Sequence, residues 1–257
     1  MARILAISSQ TVFGPVGNSA TVPALQEHGH EVLALPTILL SNHPGLGRPV
    51  GRPTDAQLMR DMLSRLVDMD ELQSCDAVST GYFAIAEQVV IAAEAIAALL
   101  DKKPNTIVQV DPVIGDNTSL YVPEPVAIAI RDRLVPLASV STPNRFELGW
   151  LTSRDSQSDE AYLETARQLG VQELIVTSAR IDDRGITTLH ISNGMVASHT
   201  MPHQHNIPNG TGDFLAGQYL AHRLLMHPKE AFASAMQRVQ ESVSASVGKA
   251  ALVLGAH

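Results

Sequence analysis

Residues 206–217, NIPNGTGDFLAG, place two glycines and a carboxylate at the start of an apolar helical pattern. The first turn of a helix has unpaired backbone N–H groups and a partial positive charge, so it attracts anions such as phosphate. Gly210 and Gly212 would let that backbone come close to a bound group. Thr211 and Asp213 are also ordinary capping residues. The segment alone therefore indicates either an anion site or a capped helix.

The β-branched segment 106–113, TIVQVDPV, contains one aspartate near its end, and a second aspartate follows it. Asp111 ends the predicted strand, and Asp116 lies shortly after it in the chain. Carboxylates at strand ends suit Mg²⁺, which prefers oxygen ligands and keeps water molecules between protein and phosphate. The alternative is that the Asp-Pro step only terminates the strand and that Asp116 lies in a turn.

The segment TPNRFE contains an Asn-x-x-Glu pattern at Asn144 and Glu147, after another predicted strand. Both side chains would lie on one face of a helical turn, with Glu147 available to a metal site. The alternative is a capping box, with Thr142 or Asn144 as the cap and Glu147 closing it. Thr177 and Ser178 end a further strand, where their hydroxyls would either donate to phosphate or only end the strand.

Together these features indicate phosphoryl transfer. A helix start with an aspartate, a strand-end aspartate and an Asn-x-x-Glu turn supply the anion site, base and metal-facing carboxylates that this chemistry needs. The sequence has no Gly-Lys-Ser or Gly-Lys-Thr, which excludes the Walker phosphate loop. It also lacks a G-x-G-x-x-G segment after the first strand, which excludes the dinucleotide-binding fingerprint.

The elements that must position these residues alternate between strand and helix. Apolar periodicity and the start and stop residues predict them. The predicted strands cover residues 3–8, 31–37, 76–81, 106–113, 138–144 and 173–178. The predicted helices cover residues 18–29, 53–69, 84–100, 145–151 and 159–170, with two more between residue 212 and the C-terminus.

This alternation predicts a mainly parallel sheet that is covered by helices on both faces. Residues 186–201 differ, because two alternating segments flank Asn193-Gly194, which predicts an antiparallel hairpin at one edge. Ligands of such sheets bind at the carboxyl ends of the strands. With no linker or repeat in the sequence, we expect one domain over residues 1–257.

Composition and charge exclude several classes of protein. The 257 residues are 45% hydrophobic, enough for a large core. The formal net charge of −8, with only 18 Lys and Arg, disfavours a nucleic-acid partner, which needs a basic surface. Cys75 is the only cysteine, which excludes an intramolecular disulfide and a cysteine-based zinc site. A reducing cytoplasm is therefore the expected location.

No segment reads as a membrane span or a signal peptide. The most apolar window, residues 84–100, is interrupted by Glu87, Gln88 and Glu94, which indicates a largely buried helix. The N-terminal run MARILAIS is too short for a signal-peptide core. We therefore expect no membrane partner.

Several motifs resemble a known family. NGTGD, residues 209–213, is similar to the signature of the ribokinase-like superfamily, in which the aspartate activates the substrate hydroxyl and the glycine-rich turn forms an anion hole. PNRFE resembles that superfamily's Asn-x-x-Glu motif, whose glutamate helps to organise Mg²⁺. The segments SSQTVFGPVGNSATVPALQEHGHEV, PTILLSNHPG, STGY, DPVIGD and LYVPEPV further resemble the pyridoxal kinases.

The resemblance extends nearly from end to end. It implies a ribokinase-like three-layer sandwich and ATP-dependent phosphorylation of the primary (5′) hydroxyl of pyridoxal, pyridoxine or pyridoxamine. It also implies Mg²⁺ as a cofactor, a monovalent cation such as K⁺ as a further candidate, and a homodimer.

The resemblance implies a role for each matching residue. Asp213 would be the base, with Gly210, Thr211 and Gly212 in the anion hole. The substrate side would comprise Ser9 at the polar edge of the pyridine ring, together with Val16, Thr37, His43, Tyr82 and Asp213. The ATP side would comprise Asp111, Asp116, Tyr121, Asn144, Glu147, Thr177, Ser178 and Thr211. Asp111 and Glu147 would hold the metal through water.

Two positions depart from the family pattern. Pro44 follows SNH where the family often has Thr, and it offers neither a hydroxyl nor an N–H group. Pro15 stands where the family often has an aromatic residue or His. His199, His203 and His205 alternate along one segment, but no carboxylate or cysteine accompanies them, which favours a solvent-facing or lid role over a metal site.

Two alternatives stay open. A hydroxymethylpyrimidine kinase would share the C-terminal half, although such enzymes usually have a first loop richer in glycine than residues 9–18. A vitamin-binding protein without turnover would retain the pocket, although the intact NGTGD motif disfavours this interpretation.

Overall fold

The structure is a computed structural model that describes residues 1–116, 119–154 and 158–255. Its described strands are β1 (Arg3–Phe13), β2 (Glu31–Asn42), β3 (Gly51–Pro53), β4 (Ala77–Thr80), β5 (Ile107–Val110), β6 (Gly115–Asp116), β7 (Ser119–Leu120), β8 (Val140–Ser141), β9 (Glu173–Asp182), β10 (Gly185–Ser192) and β11 (Met195–Met201). Its described α-helices are α1 (Asn18–Gln26), α2 (Ala56–Asp68), α3 (Ala86–Lys102), α4 (Glu124–Ala129), α5 (Arg145–Thr152), α6 (Asp159–Leu169), α7 (Thr211–Arg223) and α8 (Pro228–Ser246). Short 3₁₀ turns cover Pro44–Leu46 and Val135–Leu137, and a π-helical turn covers Ile130–Leu134.

Nine strands form one sheet in the order β11-β10-β9-β8-β5-β4-β1-β2-β3. The six strands from β2 to β9 in this order are parallel, whereas β3, β10 and β11 are antiparallel to their neighbours. Strands β6 and β7 form a separate small hairpin. The predicted α/β fold class is confirmed.

Successive side chains of a strand point to opposite faces of the sheet, and each face packs against a different set of helices. On β1, Leu5 packs in the cluster that contains α2, α3 and α4, whereas its neighbour Ile4 packs against α1 and α7. On β9, Ile175 joins the cluster of α1, α7 and α8, whereas Leu174 packs with α5 and α6. This two-residue period produces the predicted three layers.

The predicted edge hairpin is confirmed. Asn193 and Gly194 have φ values of 51° and 73°, and the flanking residues Ser192 and Met195 are paired. Two consecutive positive φ angles are typical of the turn that Asn-Gly favours. The other side of β10 pairs antiparallel with β9, so the hairpin continues the main sheet.

The predicted ends of β1 and β2 were wrong. Both strands continue beyond residues 8 and 37, and they stay paired with each other across an irregularity between Ser8 and Gln10. The extension of β1 begins with Ser9, Gln10 and Thr11, which a hydrophobic pattern does not mark, whereas the extension of β2 begins with three apolar residues after the Pro-Thr pair 36–37, where the predicted strand ended. The extension carries both strands to the rim of the site.

Other predicted boundaries were wrong for local reasons. The predicted strand 138–144 shortens to β8, since Pro143 has no N–H to donate and Asn144 caps α5. The predicted helix at 53–69 begins at Ala56, because Asp55 is its N-cap and accepts a hydrogen bond from Leu58 N. Helix α4 and the hairpin of β6 and β7 were not predicted.

In the part of the chain that the structure describes, no helix combines the length and apolar character needed to cross a membrane.

Helices α1 and α7 pack closely at Gly217. A Cβ atom at Gly217 would lie 2.8 Å from the Cβ atom of Ala24 and 3.0 Å from the carbonyl oxygen of Thr21. The absence of a side chain therefore sets the distance between these helices. Because α7 begins in the NGTGD motif, this distance also determines where the motif lies.

We expect Gly217→Ala to destabilise the protein. Overpacking costs about 1 to 3 kcal/mol and the better helix propensity of alanine returns about 1 kcal/mol. At the middle of this range the net loss is about 1 kcal/mol, so the Tm should fall by about 2 to 4 °C. Gly212→Ala is the matched control in the same helix, because its Cβ would meet no atom within 4 Å. Thermal unfolding of both variants is the measurement, and a Tm for Gly217→Ala at or above that of Gly212→Ala would contradict this packing.

Candidate active site

A cavity of about 600 Å³ opens at the carboxyl ends of the parallel strands, where the site was predicted. Most residues expected from the sequence line it: Ser9, Val16, His43, Tyr82, Asp111, Asp116, Tyr121, Asn144, Glu147, Thr177, Gly210, Gly212 and Asp213. Residues that were not predicted to line it include Gly17, Leu40, Val113, Thr142 and Asn209, and Pro44 also contributes.

Helix α7 begins at this cavity without a side-chain cap. Gly210, its N-cap residue, has a φ of 107°, and a Cβ there would lie 2.0 Å from the carbonyl oxygen of Pro15. At Gly212 a Cβ would instead meet open space. Gly210 therefore allows the chain to pack, whereas Gly212 leaves room beside the first turn, where helix geometry favours an anion.

Asp213 lies in the first turn of α7, half-buried in the cavity. Burial raises the pKa of its carboxyl to about 6, against the opposing effect of hydrogen bonds from the backbone amides of Gly17 and of Asp213 itself. The hydroxyl of Thr21 donates to the backbone carbonyl oxygen of Asp213 at 3.2 Å. A carboxylate with a pKa raised toward neutrality suits proton abstraction from a hydroxyl.

The capping box expected as one alternative for Asn144 and Glu147 is present. Glu147 N donates to Asn144 Oδ1 at 2.9 Å, and Asn144 N donates to Glu147 Oε2 at 2.9 Å. Glu147 Oε1 also accepts from Ile114 N at 2.8 Å, and Asn144 Nδ2 donates to Gly115 O at 2.8 Å. These bonds fasten α5 to the loop after β5. They do not test the metal role of Glu147, which stays a prediction.

Acidic groups concentrate around Asp111. Burial, and then the charges of Glu147 and Asp213, raise the pKa of the Asp111 carboxyl well above its ordinary value. Burial also raises the pKa of Glu147 to about 7, opposed by hydrogen bonds from backbone amides. Among the described residues, no lysine or arginine lines this cavity.

The donor set around Asp111 fits a hydrated divalent cation. Like charges gathered without a basic partner favour a bound cation, and carboxylate oxygens are the ligands that Mg²⁺ prefers. The buried Thr142 hydroxyl lies beside Asp111 and opposes the rise in the pKa of that carboxyl. The described side chains include no cluster of three or more Asp, Glu, His or Cys that would enclose a metal, so water and phosphate oxygens would complete the coordination.

The opposite wall holds the residues expected on the substrate side. His43 Nδ1 accepts a hydrogen bond from Gly45 N at 3.1 Å, and burial lowers the pKa of this histidine. Tyr82 is half-buried on the same wall. Ser9 packs against Gly17, where a Cβ atom would lie 2.2 Å from Ser9 Oγ. This wall combines an aromatic ring with a few polar groups.

Three predicted residues do not line this cavity. Thr37 is fully buried behind the wall, and its hydroxyl donates to the carbonyl oxygen of Tyr82 at 2.7 Å. Ser178 has a positive φ of 49° and, with Thr211, lines an adjoining cavity. The adjoining cavity shares Gly212 with the first one.

This adjoining cavity, of about 230 Å³, is mainly apolar. Its apolar lining residues are Ile186, Met201, Pro202, Ile207, Leu215, Met236, Val239 and Val243. Sequence reasoning missed them, since apolar residues on β10, β11, α7 and α8 look like ordinary core residues. Its volume and lining suit a small, mainly apolar group next to the start of α7.

His199 makes one contact, and His203 and His205 make another with each other. His199 Nε2 lies 3.1 Å from Gln240 Oε1, and the rings of His203 and His205 are 4.9 Å apart. His203 and His205 are exposed, as the solvent-facing interpretation predicts.

Comparison with known proteins identifies the family. The sequence model of the phosphomethylpyrimidine kinase family matches residues 20–254. A pyridoxine/pyridoxal/pyridoxamine kinase of Bordetella avium is 35% identical over 230 residues, which cover 86% of this chain and 77% of that protein. The chain belongs to the pyridoxal kinase family.

Solved structures of pyridoxal kinases have the same fold. The pyridoxal kinase from Leishmania donovani in complex with ADP and pyridoxamine has a TM-score of 0.88 at 28% identity, covering 95% of this chain and 87% of that chain. The pyridoxal kinase from Entamoeba histolytica has a TM-score of 0.91 at 22% identity, covering 99% of this chain and 93% of that chain, a similarity of fold alone. The predicted resemblance to the pyridoxal kinase family is confirmed.

If Asp213 is the base, Asp213→Asn should lower kcat by about 10² to 10⁴ and leave ADP binding close to wild type. In the wild type, kcat should fall as the pH drops through about 6, because the protonated carboxyl no longer accepts a proton. Steady-state kinetics and ADP calorimetry measure both effects. Turnover by Asp213→Asn near the wild-type rate would exclude the role.

Proposed function

We propose that this chain transfers the γ-phosphoryl group of ATP to the primary (5′) hydroxyl of pyridoxal, pyridoxine or pyridoxamine. The products are the vitamer 5′-phosphate and ADP, which places the reaction in vitamin B6 salvage. The observation that carries the proposal is the position of Asp213, which lies beside the uncapped start of α7 in the cavity that Ser9, His43 and Tyr82 line. The kinases of B6 vitamers to which the chain is similar support it.

Asp213 would accept the proton of the 5′ hydroxyl while the hydroxyl oxygen attacks the γ-phosphorus in line with the leaving oxygen. The backbone N–H groups of residues 210–213 would donate to the phosphoryl oxygens as charge develops on them. Because these donors belong to a helix start held against Pro15, they need no rearrangement during the reaction.

The two cavities divide the substrates between them. The vitamer ring would lie against Tyr82 and His43 with its polar edge at Ser9. The phosphates of ATP would extend past Gly212 and Thr177, which line both cavities. The adenine ring would lie in the smaller apolar cavity, where flat apolar surface is available.

Asp111 would hold Mg²⁺, with Glu147 acting through a water molecule. The ion would offset phosphate charge in a cavity that has no basic residue among its described lining. A monovalent cation such as K⁺ is a further candidate.

Three expectations from the sequence complete the proposal: one domain over residues 1–257, a homodimer, and a cytoplasmic location. Light scattering after size-exclusion chromatography would measure the mass of the assembly, and a mass equal to the single chain of 27.5 kDa would exclude the dimer.

A substrate panel separates the proposed function from its alternatives. A pocket that hydrogen-bonds one ring leaves buried polar groups unpaired with another, at about 1 to 3 kcal/mol each. We therefore expect kcat/KM for the best B6 vitamer to exceed that for hydroxymethylpyrimidine by at least about tenfold. Ser9→Ala should narrow this gap.

The readout is ADP release with each acceptor. Equal efficiency, or a preference for the pyrimidine, would assign the chain as a hydroxymethylpyrimidine kinase. Vitamer binding without ADP release would indicate a binding protein that lacks turnover.

The variants Asp111→Asn and Glu147→Gln should distinguish an effect on the proposed metal site from an effect on the capping box. Asp111→Asn removes one of several mutually repelling charges, so it should raise the Mg²⁺ concentration for half-maximal rate without lowering the Tm. Glu147→Gln should lower the Tm, because an amide NH₂ replaces an oxygen that accepts backbone N–H groups. A Mg²⁺ titration and thermal unfolding of both variants test this. An unchanged Mg²⁺ requirement in Asp111→Asn would exclude its metal role.

A further inference from the structure

Gln88 is a fully buried polar residue on the otherwise apolar inner face of α3. Its Nε2 donates to Thr37 O at 2.7 Å and to Thr54 O at 2.8 Å, and its Oε1 accepts from Ala84 N at 3.1 Å. Both N–H groups of the side-chain amide therefore donate a hydrogen bond, and its oxygen accepts one. These bonds join β2, the segment after β3, and the turn before α3. A buried amide with all these partners fixes three segments relative to one another.

The bonds of Gln88 continue to the wall of the active-site cavity. Thr37, which is fully buried, receives a second hydrogen bond on its carbonyl from Thr54 N at 2.9 Å. Its hydroxyl then donates to Tyr82 O at 2.7 Å, while Tyr82 N donates to Ser8 Oγ at 3.1 Å. Both backbone polar groups of Tyr82 are thus held by buried side chains.

We propose that Gln88 and Thr37 are positioning residues of the vitamer half of the site, which hold Tyr82 against the substrate ring. The inference rests on the proposed function only in the identity of that ring. Neither residue lines the cavity. Each acts through Tyr82, and Thr37 also starts the stretch of β2 that leads to His43.

The hydrogen bonds that join Gln88, Thr37, Tyr82 and Ser8 form a network that lies apart from the elements proposed to bind the nucleotide. The residues of this network lie on β1, β2, α3 and their connections, whereas the proposed anion site is formed by α7 and the capping box by α5. Loss of the network should therefore weaken vitamer binding and leave ATP binding unchanged. A general loss of structure would affect both substrates.

Thr37→Val and Thr37→Ser form a matched pair for this test. Valine keeps the volume and loses the donor to Tyr82 O, whereas serine keeps the donor. Thr165→Val is a distant control, because Thr165 is also fully buried but its hydroxyl donates to Ala161 O within α6. For each variant we would measure KM for pyridoxal and for ATP, kcat, and the calorimetric Kd of pyridoxal and of ADP.

We expect Thr37→Val to raise KM and Kd for pyridoxal at least about fivefold, which corresponds to about 1 kcal/mol, a typical net value for one hydrogen bond. The ATP and ADP constants should stay within about twofold, a difference well below that of one hydrogen bond. Thr37→Ser and Thr165→Val should resemble the wild type. If Thr37→Val does not fold, Gln88→Leu should show the same difference between the two substrates.

Two results would overturn the proposal: equal impairment of Thr37→Ser and Thr37→Val, or parallel changes in the constants of both substrates. The binding measurements distinguish failure of this proposal from failure of the proposed function. A chain that binds pyridoxal but does not phosphorylate it would still show the expected change in Kd.

Discussion

The site depends on the meeting of two helix starts at Asp213. Asp213 lies in the first turn of α7, and the backbone amide of Gly17, the N-cap residue of α1, opposes the rise in the pKa of its carboxyl. Gly217 lets the two helices pack closely enough for this contact, and Gly210 lets α7 begin against the carbonyl of Pro15. Burial makes the carboxyl more basic, and the close packing of the two helix starts determines where it lies.

Charge distribution is the second constraint. Asp111, Glu147 and Asp213 share one cavity, and the described lining includes no basic residue that would neutralise them. Negative charge alone would repel a triphosphate. In the proposed function, backbone N–H groups and a bound divalent cation would offset this charge, in a protein whose net charge is −8.

Local motifs were predictable from the sequence, because neighbours in the chain determine them. The helix start at Gly210, the capping box of Asn144 and Glu147, which was one of two alternatives, and the Asn193-Gly194 turn are all present. Features that depend on distant contacts were not predictable. The polar extension of β1 is stabilised by pairing with β2, and the apolar wall of the smaller cavity resembles core until α7 and α8 are placed beside β10. Thr37 was expected to contact the substrate, but the structure places it behind Tyr82, where it does not line the cavity.

In the proposed reaction, Asp213 meets the 5′ hydroxyl at the start of α7. A crystal structure of the protein with pyridoxal and a non-hydrolysable ATP analogue tests this contact most directly. We expect the 5′ oxygen at about 2.6 to 3.2 Å from a carboxylate oxygen of Asp213, the hydrogen-bond reach that a general base needs, with the γ-phosphate on the amides of residues 210–213. A vitamer bound with its 5′ oxygen away from Asp213, or a γ-phosphate away from those amides, would contradict it.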